Sequence, residues 1–176
     1  MIKTFLSVII FSCFIAAAAA QKPATMTIKV FFHNEKQNPN QEDCRKVFPT
    51  ERTIPKTPAV ARAALDEFLK GTTEDERKRE FWSFSPEETK DVVLKLNVKN
   101  GAAYLNFNKS VYENLGSATT SCGGGFFPGL EATLTQFPTI KNVYYAIEGN
   151  ANEFYDWVQV GECPHGKKHC SSKNFQ

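Results

Sequence analysis

The sequence has few of the residues that catalyse reactions at neutral pH, with only three histidines among 176 residues. It has no G-x-S-x-G and no H-E-x-x-H motif, the patterns typical of many serine hydrolases and zinc proteases. His33 is the one histidine in the region expected to fold, so a catalytic triad has few possible bases. Acidic pairs such as Asp66 with Glu67 are adjacent, and adjacent residues on a helix point about 100° apart. We therefore expect no catalytic residues.

The chain also lacks a strong excess of either charge, with 21 basic and 19 acidic residues. Without a basic patch to neutralise phosphates, nucleic-acid binding is not expected. The glycines at 123–125 are not followed by the Lys-Ser or Lys-Thr pair of a nucleotide-binding loop. We interpret them as residues that let the chain turn tightly after Cys122, and we expect no cofactor.

Long hydrophobic runs are confined to the N-terminus. An apolar run over 5–15 follows Lys3 and precedes alanines that end at Ala20, a pattern typical of a secretory signal with cleavage near Ala20. A spanning helix needs about 20 apolar residues, so a membrane anchor is less favoured. A lipid-modified Cys13 is a further alternative. It is disfavoured because Phe11, two residues before the cysteine, does not suit a lipid-attachment site. We expect an exported protein (secreted, periplasmic or envelope-associated) with no transmembrane span in the mature chain.

Removing 20 of the 176 residues leaves 156, the length of one ordinary domain. No internal repeat or low-complexity linker divides this length. We expect a signal peptide over 1–20, a single domain over 21–160 with its core at 26–149, and a cysteine-containing C-terminal tail over 161–176.

The cysteines that remain after cleavage are Cys44, Cys122, Cys163 and Cys170. An even number of cysteines in an oxidising compartment indicates disulfides, and four cysteines allow three pairings. The short spacing of the last two favours a local bridge, which leaves Cys44 with Cys122. The segment CPHGKKHC also contains His165 and His169, so a zinc site of Cys163, His165, His169 and Cys170 is the weaker alternative. Because zinc needs reduced thiolates, we favour disulfides and expect no metal.

Apolar periodicity predicts strands and helices in the first half of the chain. Residues 26–33 read as a strand, and 47–54 as an extended segment that Pro49 limits to a sheet edge. A helix is expected from Thr57 and Pro58 to Gly71, with Thr57 as its N-cap. Thr73 and Glu76 then form a capping box in front of the charged run EDERKRE, which we interpret as a solvated helix face.

The second half is dominated by a predicted β-hairpin. Asn100 and Gly101 form the turn, and Ala103, Leu105 and Phe107 continue the apolar face in the return strand. The first strand is expected to place Val92, Leu94, Leu96 and Val98 on one face. A last helix stopped by Pro138 and a strand ending near Gly149 follow. This order predicts an α/β (α+β layered) fold, with a small mixed sheet, a central hairpin and two main helices packed on the sheet.

Four sequence blocks in this order resemble the GerMN domain of bacterial envelope and sporulation proteins. The blocks are MTIKVFF, CRKVFPTERTIPKTPAVARAALDEFLKGTTEDE, LNVKNGAAYLNFNKS and LTQFPTIKNVYYAIEG. They span residues 26–149. The resemblance implies a compact extracytoplasmic fold related to ring-building domains and a non-catalytic role in protein assembly or cell-envelope binding.

Two aromatic groups are the remaining functional candidates. They contain Phe81, Trp82 and Phe84, and then Phe154, Tyr155 and Trp157. Aromatic side chains of this density either close the core or stack on a ligand. As a possible contact surface we select Phe81, Trp82, Phe84, Tyr155 and Trp157, with an envelope protein or a cell-wall polymer as partner. The alternative is a small secreted enzyme that acts on cell-wall material.

Overall fold

Two three-stranded sheets organise the part of the chain that the computed structural model describes, residues 23–120, 122–163 and 166–176. In the first sheet, β1 (Thr25–Asn34) lies between β2 (Phe48–Pro55) and β3 (Phe81–Trp82), and both neighbours are antiparallel to it. In the second, β5 (Ala102–Phe107) is antiparallel to β4 (Val93–Lys99) and parallel to β6 (Asn142–Ile147). The α+β class is confirmed, with two sheets where the sequence analysis expected one.

Seven helices accompany these sheets in the described residues, and the two longest, α1 and α5, have ten residues each. The helices of the described residues are α1 (Val60–Leu69), α2 (Glu74–Lys78), α3 (Pro86–Thr89), α4 (Val111–Asn114), α5 (Phe126–Thr135), α6 (Ala151–Trp157) and α7 (Gly166–Cys170). Helix α5 packs on both sheets and on α1. Gly129 permits its close approach to β1, because a Cβ there would collide with the Phe31 carbonyl oxygen. No helix in the described ranges has the length and hydropathy needed to cross a membrane.

Aromatic side chains join β1, α1 and α5 in one main core. Phe68 lies with its ring centroid 5.4 Å from that of Phe32 and 5.3 Å from that of Phe126. The same core continues to the second sheet through Leu105 and Phe107, both fully buried. Every residue of β5 is buried, so β5 is a central strand covered on both faces.

The start of α1 differs from the sequence prediction. The helix begins at Val60 with Ala59 at the N-cap position, and no side chain caps it. Thr57 lies too early in the chain to cap the helix, and its Oγ1 accepts a hydrogen bond from the Ala59 N–H at 3.1 Å. The second helix follows the prediction, because Thr73 and Glu76 form both hydrogen bonds of the capping box.

The charged run after Thr73 is only partly solvated, in contrast to the prediction. Glu76 is buried, and its Oε2 lies 2.6 Å from Arg52 Nη2 on β2. Arg52 also donates to the main-chain oxygens of Glu67 and Gly71, each at 2.6 Å. This ion pair joins β2 to the end of α1 and the start of α2.

The hairpin turn is confirmed, and Leu96 and Val98 share a face of β4 as predicted, but Leu94 does not share it. Asn100 and Gly101 have φ of 52° and 78°, as a tight hairpin turn requires. The pairing register shifts between Val93 and Lys95, so Leu94 is the extra residue of a bulge. An extra residue reverses the side-chain alternation, and Val93 therefore shares a face with Leu96 and Val98. Leu94 and Val98 are 50% and 44% exposed on this edge strand.

The C-terminal segment predicted as a tail packs on the second sheet. Phe175 is 1% exposed and meets the Tyr104 ring edge-on at 5.6 Å. Asn97 donates to the carbonyl oxygens of Asn174 and Gln176 at 2.8 and 2.7 Å. Through these contacts, the last residues cover the face of the sheet opposite α5 and α6.

Candidate functional site

A cleft of about 990 Å³ opens between β3, the end of β1 and two loops. One loop follows β1, and the other contributes Ser117, Thr120 and Gly123. The side chains that line it include Trp82, Phe84, His33, Glu35, Gln41 and Thr120. We call this feature the Trp82 cleft, because it combines an aromatic surface with convergent polar groups, as ligand sites commonly do.

Covalent and polar contacts hold the two loops together. The structure joins Cys44 to Cys122 with a Cα–Cα distance of 4.4 Å. Buried Asn38 organises the first loop, since its Nδ2 donates to the Asp43 carbonyl at 2.9 Å and its Oδ1 accepts from the Asp43 N–H at 3.2 Å. In the second loop Gly123 has a φ of 41°, and a Cβ there would collide with the Ala118 main chain. The cleft is therefore preformed, and its glycines allow a tight turn.

Trp82 is the aromatic side chain that the cleft presents to solvent, with 49% of its surface exposed. Strand β3 pairs Trp82 with His33 and Phe81 with Asn34. Alternation along the strand buries Phe81, which leaves Trp82 on the open side. The indole leans on Phe84 at 5.6 Å between ring centroids, and Phe84 contacts Phe126 at 5.2 Å. The core thus supports an exposed ring.

Of the other members of the predicted contact surface, Phe81 and Phe84 line the cleft but are nearly buried, and Tyr155 and Trp157 lie outside it. Phe81, Phe84 and Tyr155 are 6%, 3% and 6% exposed, so they pack within the protein and offer little area to a partner. Trp157 is half-buried at the end of α6 and meets the Tyr112 ring edge-on at 5.6 Å. The aromatic residues were grouped by sequence proximity, whereas strand and helix geometry exposes only some of them.

A histidine and a carboxylate lie together in the cleft. His33 Nε2 is 3.1 Å from Glu35 Oε2, and the Asn40 N–H donates to the other carboxylate oxygen of Glu35 at 2.8 Å. The Asn40 N–H, and then His33, lower the pKa of Glu35. Glu35 is therefore a carboxylate at neutral pH that accepts hydrogen bonds. The sequence did not indicate this pair, because Glu35 lies in the turn that follows β1 and not on the strand.

The predicted cysteine and histidine cluster near the C-terminus has a different arrangement from a zinc site. Cys163 and Cys170 are bonded to each other, which leaves no thiolates for a metal. His169 stacks on Tyr144 at 4.4 Å, and its Nδ1 is 3.0 Å from Tyr104 Oη, so its side chain packs against the second sheet. His165 lies outside the described residues. Within the described ranges no three metal-binding side chains come together.

The family model named Germane, for sporulation and spore germination, matches residues 29–153. This chain belongs to the Germane family. The match confirms the resemblance to GerMN domains. The matched range of this Germane domain includes the whole Trp82 cleft and both sheets except the first residues of β1.

One solved structure supports the same fold. The Germane domain is similar to the tandem GerMN domains of the sporulation protein GerM from Bacillus subtilis, with a TM-score of 0.53 and 22% identity over 76% of this chain. The match covers 43% of that structure, so this chain spans less than half of its length. A putative lipoprotein from Clostridium perfringens matches with a TM-score of 0.39 and 19% identity, covering 70% of this chain and 75% of that one. A comparison with curated proteins finds no match.

Proposed function

We propose that this Germane domain is an exported, non-catalytic binding module whose Trp82 cleft holds an envelope protein or a cell-wall polymer. The observation that carries the proposal is a half-exposed indole supported by the core at the mouth of a preformed cleft. Buried aromatic rings close a core, whereas a supported ring that faces solvent offers a flat surface to a ligand. The family match associates the module with sporulation or germination.

The lining of the cleft suits a ligand with both apolar and hydroxyl or amide groups. An indole face stacks on a sugar ring or on an apolar side chain, and Gln41 and Thr120 provide donors and acceptors around it. Glu35 adds a charged acceptor at the rim. These groups fit a glycan or a peptide segment, and the experiment below distinguishes the two.

Export is supported by the cysteine pairing as well as by the N-terminal sequence. Two disulfides close separate parts of the chain, at Cys44–Cys122 and Cys163–Cys170. Structural disulfides persist in oxidising compartments outside the cytosol. The first bridge also shapes the cleft, so binding should depend on oxidation.

One observation favours the alternative of a secreted hydrolase, since Glu35 and Glu80 both line the cleft. Glycoside hydrolysis uses two carboxyl groups, one of which acts as an acid with a raised pKa. The pKa of Glu35 is lowered, which is the wrong direction for that acid. Release of soluble fragments from purified peptidoglycan by the wild type, and its loss in Glu35→Gln, would support the enzyme instead.

The direct test uses the oxidised chain without residues 1–20. We would measure its sedimentation with insoluble peptidoglycan and, separately, its capture of proteins from an envelope extract. Trp82→Ala should weaken whichever binding occurs by about tenfold, the cost of losing one stacking surface. Val160→Ala is the matched control, because Val160 is also exposed and lies outside the cleft. Absence of both kinds of binding, or equal effects of the two variants, would contradict the proposal.

A further inference from the structure

A second groove runs between helix α1 and edge strand β4. It consists of two adjoining depressions of about 310 and 280 Å³ that share Arg62. The first is lined by Val60 on α1 and by Leu96 and Val98 on β4, and the second by Leu69 and Val93. Helix α1 and strand β4 thus run in opposite directions along one partly apolar groove, which shares no lining residue with the Trp82 cleft.

The outer edge of β4 is open. In the second sheet β4 pairs with β5 on one side, and no strand of the described ranges pairs with its other side. Its seven residues span about 24 Å, enough for another strand to pair along it. Leu94 and Val98 are 50% and 44% exposed at this edge. Open edges with exposed apolar side chains are where extended peptides add to a sheet.

The two faces of β4 differ in chemistry at this edge. The register places Leu96 and Val98 opposite Leu105 and Ala103, on the helix side. Lys95 and Lys99 are paired with Asn106 and Ala102 of the opposite face, where Lys99 Nζ also donates to the Lys173 carbonyl at 3.3 Å. A strand added to β4 would therefore alternate between an apolar groove and a polar face on which Lys95 and Lys99 flank Asn97, since successive side chains point to opposite faces.

The lysines argue against a second copy of this chain as the occupant. Antiparallel pairing of two β4 strands about Asn97 would place Lys95 of one copy opposite Lys99 of the other. Like charges directly opposite each other destabilise a strand pair. Lysines and a bulge are also the devices by which edge strands avoid pairing with their own kind. An acidic partner converts the same repulsion into attraction.

We propose that the β4 edge binds an extended segment of another protein in which apolar and acidic residues alternate. The apolar side chains enter the groove beside Leu96 and Val98. The acidic side chains lie beside Lys95 and Lys99. Main-chain hydrogen bonds to β4 supply affinity, and the alternation supplies specificity.

The test uses an array of seven-residue peptides and the oxidised chain without residues 1–20. In the acidic array, Val, Ile, Leu or Phe occupies alternate positions of each peptide, with Asp or Glu between them. A matched array has the same apolar residues, with Lys in place of each Asp or Glu. Acidic members should bind saturably and more tightly than their lysine counterparts by about fivefold or more. Hydrogen exchange of residues 93–99 should slow when the best acidic peptide is bound.

Matched variants assign the binding to β4. Lys95→Glu should weaken the best acidic peptide by about fivefold, whereas Lys36→Glu, the same charge change on an exposed loop, should not. Trp82→Ala should leave peptide affinity unchanged, which separates this proposal from the proposed function of the cleft. The proposal is overturned if no acidic peptide binds, if both arrays bind equally, or if exchange at 93–99 is unaffected. Self-association of the wild type in sedimentation velocity that protects residues 93–99 would assign the edge to a second copy and also overturn it.

Discussion

The buried ion pair between Arg52 and Glu76 should make stability depend on pH. The Glu76 side chain is 4% exposed and the Arg52 side chain 9% exposed. Two hydrogen bonds join them, Nη2–Oε2 at 2.6 Å and Nε–Oε1 at 3.3 Å. Burial by itself raises the pKa of Glu76, but the Arg52 hydrogen bonds and charge, together with the Thr73 N–H, lower it below its usual value of 4.5.

Substitution Glu76→Gln keeps the size of the side chain and removes its charge. Removing one partner of a buried ion pair costs about 3–5 kcal/mol, because the other charge stays buried. Glu67 Oε2 remains 3.5 Å from Arg52 Nη1 and compensates part of that charge. We therefore expect the free energy of unfolding to fall by about 2–3 kcal/mol at pH 7. The control Glu74→Gln, which removes a carboxylate that pairs with Lys78 in solvent, should cost about 0.5 kcal/mol or less.

The pH dependence follows from the direction of the pKa shift. A carboxyl group with a lowered pKa in the folded chain stabilises the fold above its unfolded pKa, and this contribution is lost as pH falls through the folded pKa. The difference between wild type and Glu76→Gln should therefore be full at pH 7 and shrink below the usual value of 4.5. Urea unfolding at several pH values, with disulfides intact, measures it. A difference that stayed constant from neutral to strongly acidic pH, or was no larger than that of Glu74→Gln, would refute the reasoning.

Two further predictions concern the C-terminal segment and the disulfides. Phe175→Ala should lower the free energy of unfolding by about 3 kcal/mol, because it empties a core position. Lys173→Ala, at an exposed position, should have little effect. Equal thermal stability of the two variants would show that the C-terminal segment does not pack on the sheet. Cys44→Ser should cost more than Cys170→Ser, about 4 against about 2 kcal/mol, since the bridges span 78 and 7 residues. Equal losses of thermal stability, or a Cys44–Cys163 peptide under non-reducing conditions, would contradict this pairing.

Local patterns predicted the elements well where the determining contacts are themselves local. The Asn100–Gly101 turn requires positive φ at both positions, and these residues tolerate it. Thr73 and Glu76 are three residues apart, so the capping box is visible in the sequence. The pattern could not reveal the partner of Glu76, because Arg52 lies 24 residues earlier on another strand. For this reason a buried carboxylate was predicted to be solvated.

The candidate site was less accessible to sequence reasoning. Trp82 was selected together with Phe81 and Phe84. Alternation along β3 exposes Trp82 and buries its neighbour Phe81, and Phe84 is buried in contact with the Trp82 ring. The His33–Glu35 pair was missed, since neither residue belongs to a known motif. The bulge at Leu94 was also missed, and with it the exposed edge of β4.

The sequence by itself determined the family, the α+β class, the hairpin turn and the order of the main strands and helices, since these depend on apolar periodicity and on residues a few positions apart. Only the tertiary structure decided which aromatic side chain faces solvent, which carboxylate is buried against an arginine, and where the C-terminal residues pack. Asn97 and Phe175 show the reason: the Asn97–Asn174 and Asn106–Phe175 contacts join residues 77 and 69 positions apart, and chain folding alone brings such groups together.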